Sequence, residues 1–503
     1  MSPQVYRSTR SDKPKESSFE DVVMTGLAPD GGLYLPSEIP KLPSDFLDTW
    51  KNMSFNELAF EIMRLYINER EIPNDDLKDL IKRSYSTFRS PEVTPLKKLD
   101  DKLYLLELFH GPTYAFKDVA LQFVGNLFEY FLTRRNSKKG DGEPRDIITV
   151  VGATSGDTGS AAIYGLRGKK DVSVFILYPT GRISPIQEEQ MTTVEDSNVH
   201  TLSVKGTFDD CQDIVKSIFG DKEFNDKYHV GAVNSINWAR ILAQQTYYFY
   251  SFFQLQKQVQ GKVRFVVPSG NFGDILAGYY AYKMGLPADK LIIATNENDI
   301  LDRFMKSGEY AKQQEVGVKA TYSPAMDILI SSNFERLLWY LIRDNVTGGD
   351  DEKAGSVLND WMKQLKENGK FVAPQKVVEK ARVVFDSDRV DNDATIETIK
   401  HVYSTNPEKY VIDPHTSVGI KTSHRFIEKD QEPIQYISLS TAHPAKFSEV
   451  VNKALQGFEG YSFEKDVLPE ELKQLSNKEK RIKLIDEPSI EKVKQAIKDE
   501  LKF

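Results

Sequence analysis

At 503 residues the chain is long enough to bury a large core and to form two or three packed units, which excludes a disulfide-stapled miniprotein. Apolar residues make up 40% and charged residues 28%, too polar for a helical membrane protein, and no apolar window approaches a bilayer span. The net charge of −8 lies in mixed-sign runs without the basic footprint of a nucleic-acid or anionic-membrane binder, and the single cysteine, Cys211, cannot form an internal disulfide. That fits a reducing compartment, with Cys211 as a small buried side chain.

The first ten residues carry two arginines and two serines, as organelle transit peptides do, but Asp12, Glu16 and Glu20 interrupt the pattern. Leu501-Lys502-Phe503 is neither an endoplasmic-reticulum nor a peroxisomal signal. The expected location is the cytoplasm. Residues 1–95 read as a separate, mostly helical unit. Its clearest signal is the capping box Ser54-Phe-Asn-Glu before Leu58, Phe60, Ile62 and Met63, preceded by the turn cluster Ala28-Pro-Asp-Gly-Gly-Leu-Tyr-Leu-Pro36.

From residue 96 to the end, β-type runs alternate with loops and helical stretches, the rhythm of an α/β protein with parallel sheet covered by helices. Strands are predicted at Leu103–Phe109, Ile147–Val151, Val172–Leu177, Val263–Val267, Leu291–Thr295, Tyr410–Ile412 and Tyr436–Leu439. The polar stretch between about 340 and 400, with Asp386-Ser-Asp-Arg-Val-Asp-Asn-Asp, reads as an inserted, solvent-facing helical segment containing amphipathic helices such as Val357–Leu365. There is no internal repeat.

Ligands of open parallel sheets sit beyond the carboxyl ends of strands, so the strand-to-helix loops carry the functional information. The first is His110-Gly-Pro-Thr-Tyr-Ala-Phe-Lys117-Asp, followed by a helix whose Val119, Phe123, Leu127 and Phe131 mark a buried face. An ammonium at that helix start faces the positive end of the dipole and an apolar wall. Both effects favour the neutral amine, which can attack an aldehyde. An arbitrary lysine would instead snorkel to solvent. The second loop, Thr154-Ser-Gly-Asp-Thr-Gly-Ser160, offers a helix start to a carboxylate or phosphate, with Ser155 or Thr158 as capping residues in the ordinary alternative. The third, Ser269-Gly-Asn-Phe-Gly-Asp274, has the small residues that let backbone amides wrap a phosphate, but neither a Walker A pair nor a dinucleotide fingerprint. The fourth, Ser440-Thr-Ala-His-Pro-Ala-Lys446, places a hydroxyl where it can bond one heteroatom without adding charge.

A further cluster, Asn234-Ser-Ile-Asn-Trp-Ala-Arg240, ends in a guanidinium suited to bidentate capture of a phosphate ester, or to a salt bridge on a solvated helix face. The seven histidines show no metal-ligand spacing, so no metal is expected.

These motifs, with Asp30-Gly-Gly-Leu-Tyr-Leu-Pro and Thr441-Ala-His-Pro-Ala-Lys-Phe, resemble threonine synthases of the fungal and enterobacterial type. Those are fold-type II pyridoxal-phosphate enzymes with two parallel-sheet subdomains and a helical N-terminal domain. The resemblance implies pyridoxal 5'-phosphate as cofactor and Lys117 as the amine of the internal aldimine. It implies that Gly270, Asn271, Phe272, Gly273 and Asp274 hold the cofactor phosphate and that Thr441 faces the pyridine nitrogen. Ser155 and Thr158 would hold the substrate carboxylate or phosphate; Asn234, Ser235 and Arg240 would grip the substrate phosphate. One departure is Asp157, where many relatives in the wider group have asparagine near the cofactor's phenolic oxygen; a carboxylate there alters aldimine protonation or is turned away. The implied reaction takes O-phospho-L-homoserine and water to L-threonine and phosphate in a monomer or small homo-oligomer without nucleic-acid or membrane partners. The alternatives are a phospho-lyase releasing 2-oxobutyrate from the same substrate and a non-catalytic metabolite sensor.

Overall fold

Runs of Val, Ile and Leu ending in glycine-rich loops form two separate sheets in the computed structural model, which describes residues 4–13, 16–313 and 315–501. The chain-end readings at residues 1–3, 502 and 503 lie outside them. The strands bearing on the site are β1 (Leu96–Lys98), β2 (Leu103–Glu107), β3 (Ile148–Ala153), β4 (Val172–Pro179), β5 (Val199–Val204), β6 (Val230–Gly231), β7 (Lys262–Pro268), β8 (Lys290–Thr295), β9 (Phe385–Arg389), β10 (Ile434–Ser440) and β11 (Lys483–Ile485). The helices are α1 (Lys117–Asn136), α2 (Asp157–Leu166), α3 (Pro185–Thr192), α4 (Trp238–Gln256), α5 (Gly273–Met284), α6 (Phe334–Asn345) and α7 (Pro414–Lys429).

One sheet has the order β9-β8-β7-β10-β2-β1, parallel except for β1 against β2. The other has the order β11-β5-β4-β3-β6 and is wholly parallel. All seven residues of β10 are buried, as expected of a parallel strand with both faces covered. Because β7, β10 and β2 are neighbours, the glycine loop, the Thr441 loop and the Lys117 loop open side by side at their carboxyl ends. The sequence alone could not supply that adjacency.

The α1 helix follows from a 20-residue stretch without proline, with Asp118 in its first turn and Arg134 and Arg135 in its last, matching the helix dipole. The N-terminal helices Phe19–Thr25, Phe55–Met63 and Asn74–Tyr85 pack on α1 and α4, and the capping box at Ser54 and Glu57 is formed. A single apolar core runs from Tyr6, Phe19 and Phe55 through Phe123 and Phe131 to Trp238 and Tyr280.

Two predicted elements differ. Tyr410–Ile412 has no ladder partner; it is an extended link into α7, and the Tyr410 hydroxyl is bonded to Glu107. Phe385–Arg389, read as a polar separator, is edge strand β9. It buries Phe385 against the core, and its polar residues bond sideways, Ser387 Oγ to Asp302 at 2.7 Å and Asp388 to Arg425 at 2.8 Å. The 340–400 stretch therefore holds helices such as Asp351–Asn368 together with the strand that closes one sheet edge, so it is not a purely helical, solvent-facing insertion.

The contact between α1 and α2 depends on paired glycines. A Cβ on Gly125 would lie 1.8 Å from the Gly165 carbonyl oxygen, and one on Gly165 would lie 2.5 Å from that of Leu121. Gly125→Ala is expected to destabilise the fold by about 3 kcal/mol by forcing the helices apart. Gly220→Ala, at a helical glycine with open space around it, should change stability by less than about 1 kcal/mol and in the favourable direction. Urea unfolding of both variants checks the contrast.

Candidate active site

The Lys117 loop is fixed from within. The buried Asp118 carboxylate accepts from Thr113 N–H at 2.8 Å and Thr113 Oγ1 at 2.7 Å. It is also fixed from the next strand: Phe116 N–H donates to Thr441 O at 2.8 Å and His443 N–H to Tyr114 O at 3.0 Å. Lys117 is the first residue of α1 and makes no ion pair within 4.0 Å among the described residues. Its side chain keeps a path to solvent but is ringed by protein. Burial lowers its pKa to about 8, with Arg240 and Lys446 acting in the same direction and Asp157 opposing.

In the glycine loop, Phe272 sits at φ 66°, anchored between Phe334 and Phe385, and α5 starts at Gly273. A Cβ on Gly270 would lie 3.0 Å from Met326 Cα. The N–H groups of Gly270, Asn271 and Phe272 have no acceptor among the described residues, so together with the first turn of α5 they make a cradle of free donors. Asp274 departs from its expected role. Its carboxyl turns into the core, where Tyr247 and Tyr248 donate to it and one oxygen is left unbonded, so only its main-chain N–H can serve the cradle. Burial raises its pKa to about 7.

Thr441 Oγ1 is buried and has no hydrogen-bond partner among the described residues. In the second loop, Thr154 does the capping expected of Ser155 or Thr158: its Oγ1 accepts from Gly156 and Gly159 N–H, each at 2.9 Å. Ser155 is exposed, and neither its hydroxyl nor that of Thr158 is bonded within the described residues. Asp157, flagged as a departure, is ionised and clamped: Lys446 Nζ lies 2.8 Å and Gln187 Nε2 3.1 Å from its Oδ1.

Arg240 is neither on a solvated face nor in a salt bridge. It is 3% exposed, donates to Val233 O at 3.1 Å, and leaves Nε unbonded; burial lowers its pKa to about 10. Asn234 is exposed. Ser235 is tied to the glycine loop through Asn333, which donates Nδ2–H to Ser235 O at 3.1 Å and N–H to Asn271 O at 3.0 Å. Arg336, fully buried, holds this bracket by donating to Asn333 Oδ1, Ile236 O and Tyr34 O. Lys446, Gln187, Asn333 and Arg336 had no assigned role in the sequence; their roles exist only in three dimensions. A cavity of about 520 Å³ behind the Lys117 loop, lined by Arg89, Tyr114, Lys169 and Gln190, includes none of the cradle residues.

A depressed lysine, a cradle of free amides, a buried unpaired hydroxyl and a buried unpaired guanidinium fit a phosphorylated aromatic aldehyde with a ring nitrogen, and they define a fold-type II pyridoxal-phosphate enzyme. The family description "Pyridoxal-phosphate dependent enzyme" matches residues 87–375, flanked by "Threonine synthase N terminus" at 5–85 and "Threonine synthase, C-terminal" at 416–497. The chain is 67% identical to threonine synthase of Saccharomyces cerevisiae over 99% of this chain and 98% of that one, and 58% identical to that of Schizosaccharomyces pombe with the same coverage. It superposes on the crystal structure of yeast threonine synthase with TM-score 0.96 at 66% identity, and on pyridoxal-phosphate-bound threonine synthase from Brucella melitensis with TM-score 0.88 at 41%, each covering 99% of both chains. The chain belongs to the threonine synthase family and uses pyridoxal phosphate. Among the described residues no group suits a metal ion and no helix is long and apolar enough to cross a membrane.

Asp274 gives a signed pH test. Its folded value, about 7, lies above its ordinary 3.8. The stability it contributes is therefore present below about pH 4 and is lost as pH rises from 4 to 7, where the unfolded chain has released a proton that the folded one retains. Asp274→Asn removes this dependence. Its stability relative to wild type should rise between pH 4 and pH 8 by on the order of 3 kcal/mol, read from urea midpoints.

Proposed function

We propose that the chain converts O-phospho-L-homoserine and water into L-threonine and inorganic phosphate, with Lys117 as the amine that binds the cofactor and moves the protons. The observation that carries this reading is Arg240: a guanidinium buried without a counter-ion, close enough to Lys117 to lower its pKa, asks for an anionic group on the substrate.

Cofactor binding falls to Lys117 Nζ at the aldehyde, the N–H groups from Gly270 to Asp274 at the phosphate, and Thr441 Oγ1 at the ring nitrogen. When bound, the cofactor supplies the electron sink that makes protons beside the substrate nitrogen removable. Lys117, with a pKa of about 8, can take a proton from Cα and then from Cβ as general base. Arg240, with Asn234 and Ser235, grips the phosphate and stabilises the dianion as it leaves Cγ. The hydroxyls of Ser155 and Thr158 and the free N–H groups opening α2 take the substrate carboxylate. Lys117 then returns a proton to Cγ, water adds its oxygen at Cβ and gives up a proton to base, and a last proton goes back to Cα. The neutral Thr441 hydroxyl adds no charge at the ring. A cytoplasmic monomer or small homo-oligomer, with an N-terminal domain at 1–95 and a catalytic domain from 96, completes the reading.

Incubation with phosphohomoserine and cofactor should give threonine and phosphate in equal amounts; 2-oxobutyrate as the main product would overturn the proposal. Borohydride reduction followed by peptide mapping should place the cofactor label on Lys117, and Lys117→Ala should stay folded while losing at least about 10³-fold in turnover. Arg240→Met should raise KM for the phosphorylated substrate about 10²-fold.

A further inference from the structure

The Lys446 side chain is wholly buried and has two acceptors, each at 2.8 Å: Asp157 Oδ1, whose charge acts on Lys117, and Thr113 O, in the loop that leads to Lys117. Gln187 Nε2 reaches the same Asp157 oxygen at 3.1 Å. That approach requires Gly156, whose φ is 143° and where a Cβ would lie 2.3 Å from Gln187 Cδ. Two donors thus converge on Oδ1, and Oδ2 receives none from the described residues. Lys117 and Asp157 each shift the other's protonation, yet they form no ion pair within 4.0 Å. A buried carboxylate next to a lysine would ordinarily take that lysine as its counter-ion, fixing it as an ammonium that can neither attack an aldehyde nor accept a proton.

We propose that Lys446 is a positioning residue that engages Asp157 and so keeps it from capturing Lys117, preserving Lys117 as a free amine. Burial alone would raise the pKa of Asp157, but Lys446 and then Lys117 hold it well below the usual carboxylate range, so the clamp works across the physiological range. Arg240 faces Lys117 from α4, Asp118 faces it from α1 but is tied to Thr113, and His415 faces Asp157 from α7 while bonded to Asp413 at 2.7 Å. None of these occupies Oδ1 of Asp157.

This rests on Lys117 being the reactive amine, and the two ideas fail separately. In the full-length chain before cofactor is added, trace acetylation of Lys117 across pH, read by peptide mass spectrometry, reports the protonation of its Nζ. Wild type should inflect near 8. Lys446→Gln keeps a donor for Thr113 O but removes the charge, and it should raise the inflection by about one pH unit or more as Asp157 turns to Lys117. Lys446→Arg should stay near wild type. In Asp157→Asn with Lys446→Gln no carboxylate is left to capture the amine, so the inflection should return to the wild-type value or below. The pH dependence of cofactor uptake should follow the same order. An unmoved inflection in Lys446→Gln overturns the proposal; if that variant does not fold, a double variant inflecting a unit above wild type does so. A borohydride label on another residue would instead sink the Lys117 assignment while leaving these inflections interpretable.

Discussion

The arrangement depends on a local surplus of buried positive charge. Lys117, Arg240 and Lys446 face a cleft whose carboxylates are Asp157 and Asp118. Lys446 engages Asp157 and Thr113 engages Asp118, so among the described residues Arg240 is left without a counter-ion and Lys117 without one that would fix it as an ammonium. Holding a charge out of water costs several kcal/mol even after relaxation. A phosphate within 4 Å returns roughly 4 kcal/mol per unit charge at an effective dielectric near 20. A phosphate on the substrate is therefore of the right order to offset the one cation left unpaired, Arg240. The fold accepts the imbalance because its ligands cancel it, and it follows that ligand binding stabilises the folded chain by mass action.

The N-terminal segment takes part in this through one side chain. Arg336 has three acceptors on three elements, Tyr34 O, Ile236 O and Asn333 Oδ1, and Asn333 in turn holds both the Ser235 loop and the glycine loop. The motif Asp30-Gly-Gly-Leu-Tyr-Leu-Pro thus acts through its Tyr34 carbonyl, which holds a guanidinium whose other acceptors are Ile236 O and Asn333 Oδ1. Removing Arg336 would take a donor from the Tyr34 and Ile236 carbonyls and free the Asn333 side chain that holds the Ser235 loop to the glycine loop, which is how a remote unit bears on the spacing between the two loops.

Much of this was legible in the sequence, because glycine, hydroxyl and lysine runs after apolar strands mark loops whose chemistry is local. The start of α1 at Lys117, the glycine loop and the capping box at Ser54 all rest on short-range rules. The misread features rest on long-range ones. Phe385–Arg389 reads as part of a solvent-facing helical insertion because an edge strand with sideways ion pairs can be polar, and Tyr410–Ile412 looks like a strand because three apolar residues carry no information about a partner. Asp274 sits inside a phosphate-type motif, yet two tyrosines from α4 draw its carboxyl away. Thr154, not Ser155 or Thr158, caps α2, which frees the other two hydroxyls. Lys446 was visible as a residue, but its partner lies 289 positions away, beyond any pattern rule.

The same contrast explains how the loops hold their shape before anything binds. Tyr114 and Phe272, one in the Lys117 loop and one in the glycine loop, adopt φ values of 61° and 66°, a region that costs a non-glycine residue of order 1 kcal/mol or more. Glycine at either place would relieve that strain and lose the anchor. Phe272 is 1% exposed and packs against Phe334 and Phe385; Tyr114 lies under the Arg89 guanidinium at 3.8 Å and against the edge of His443. Burial of one phenylalanine contributes about 2–3 kcal/mol, enough to exceed the backbone strain. The aromatic side chains therefore fix the loop backbones in a conformation that presents free N–H groups and a desolvated amine, so the electrostatic surplus at the centre is built into the fold rather than assembled by the ligand.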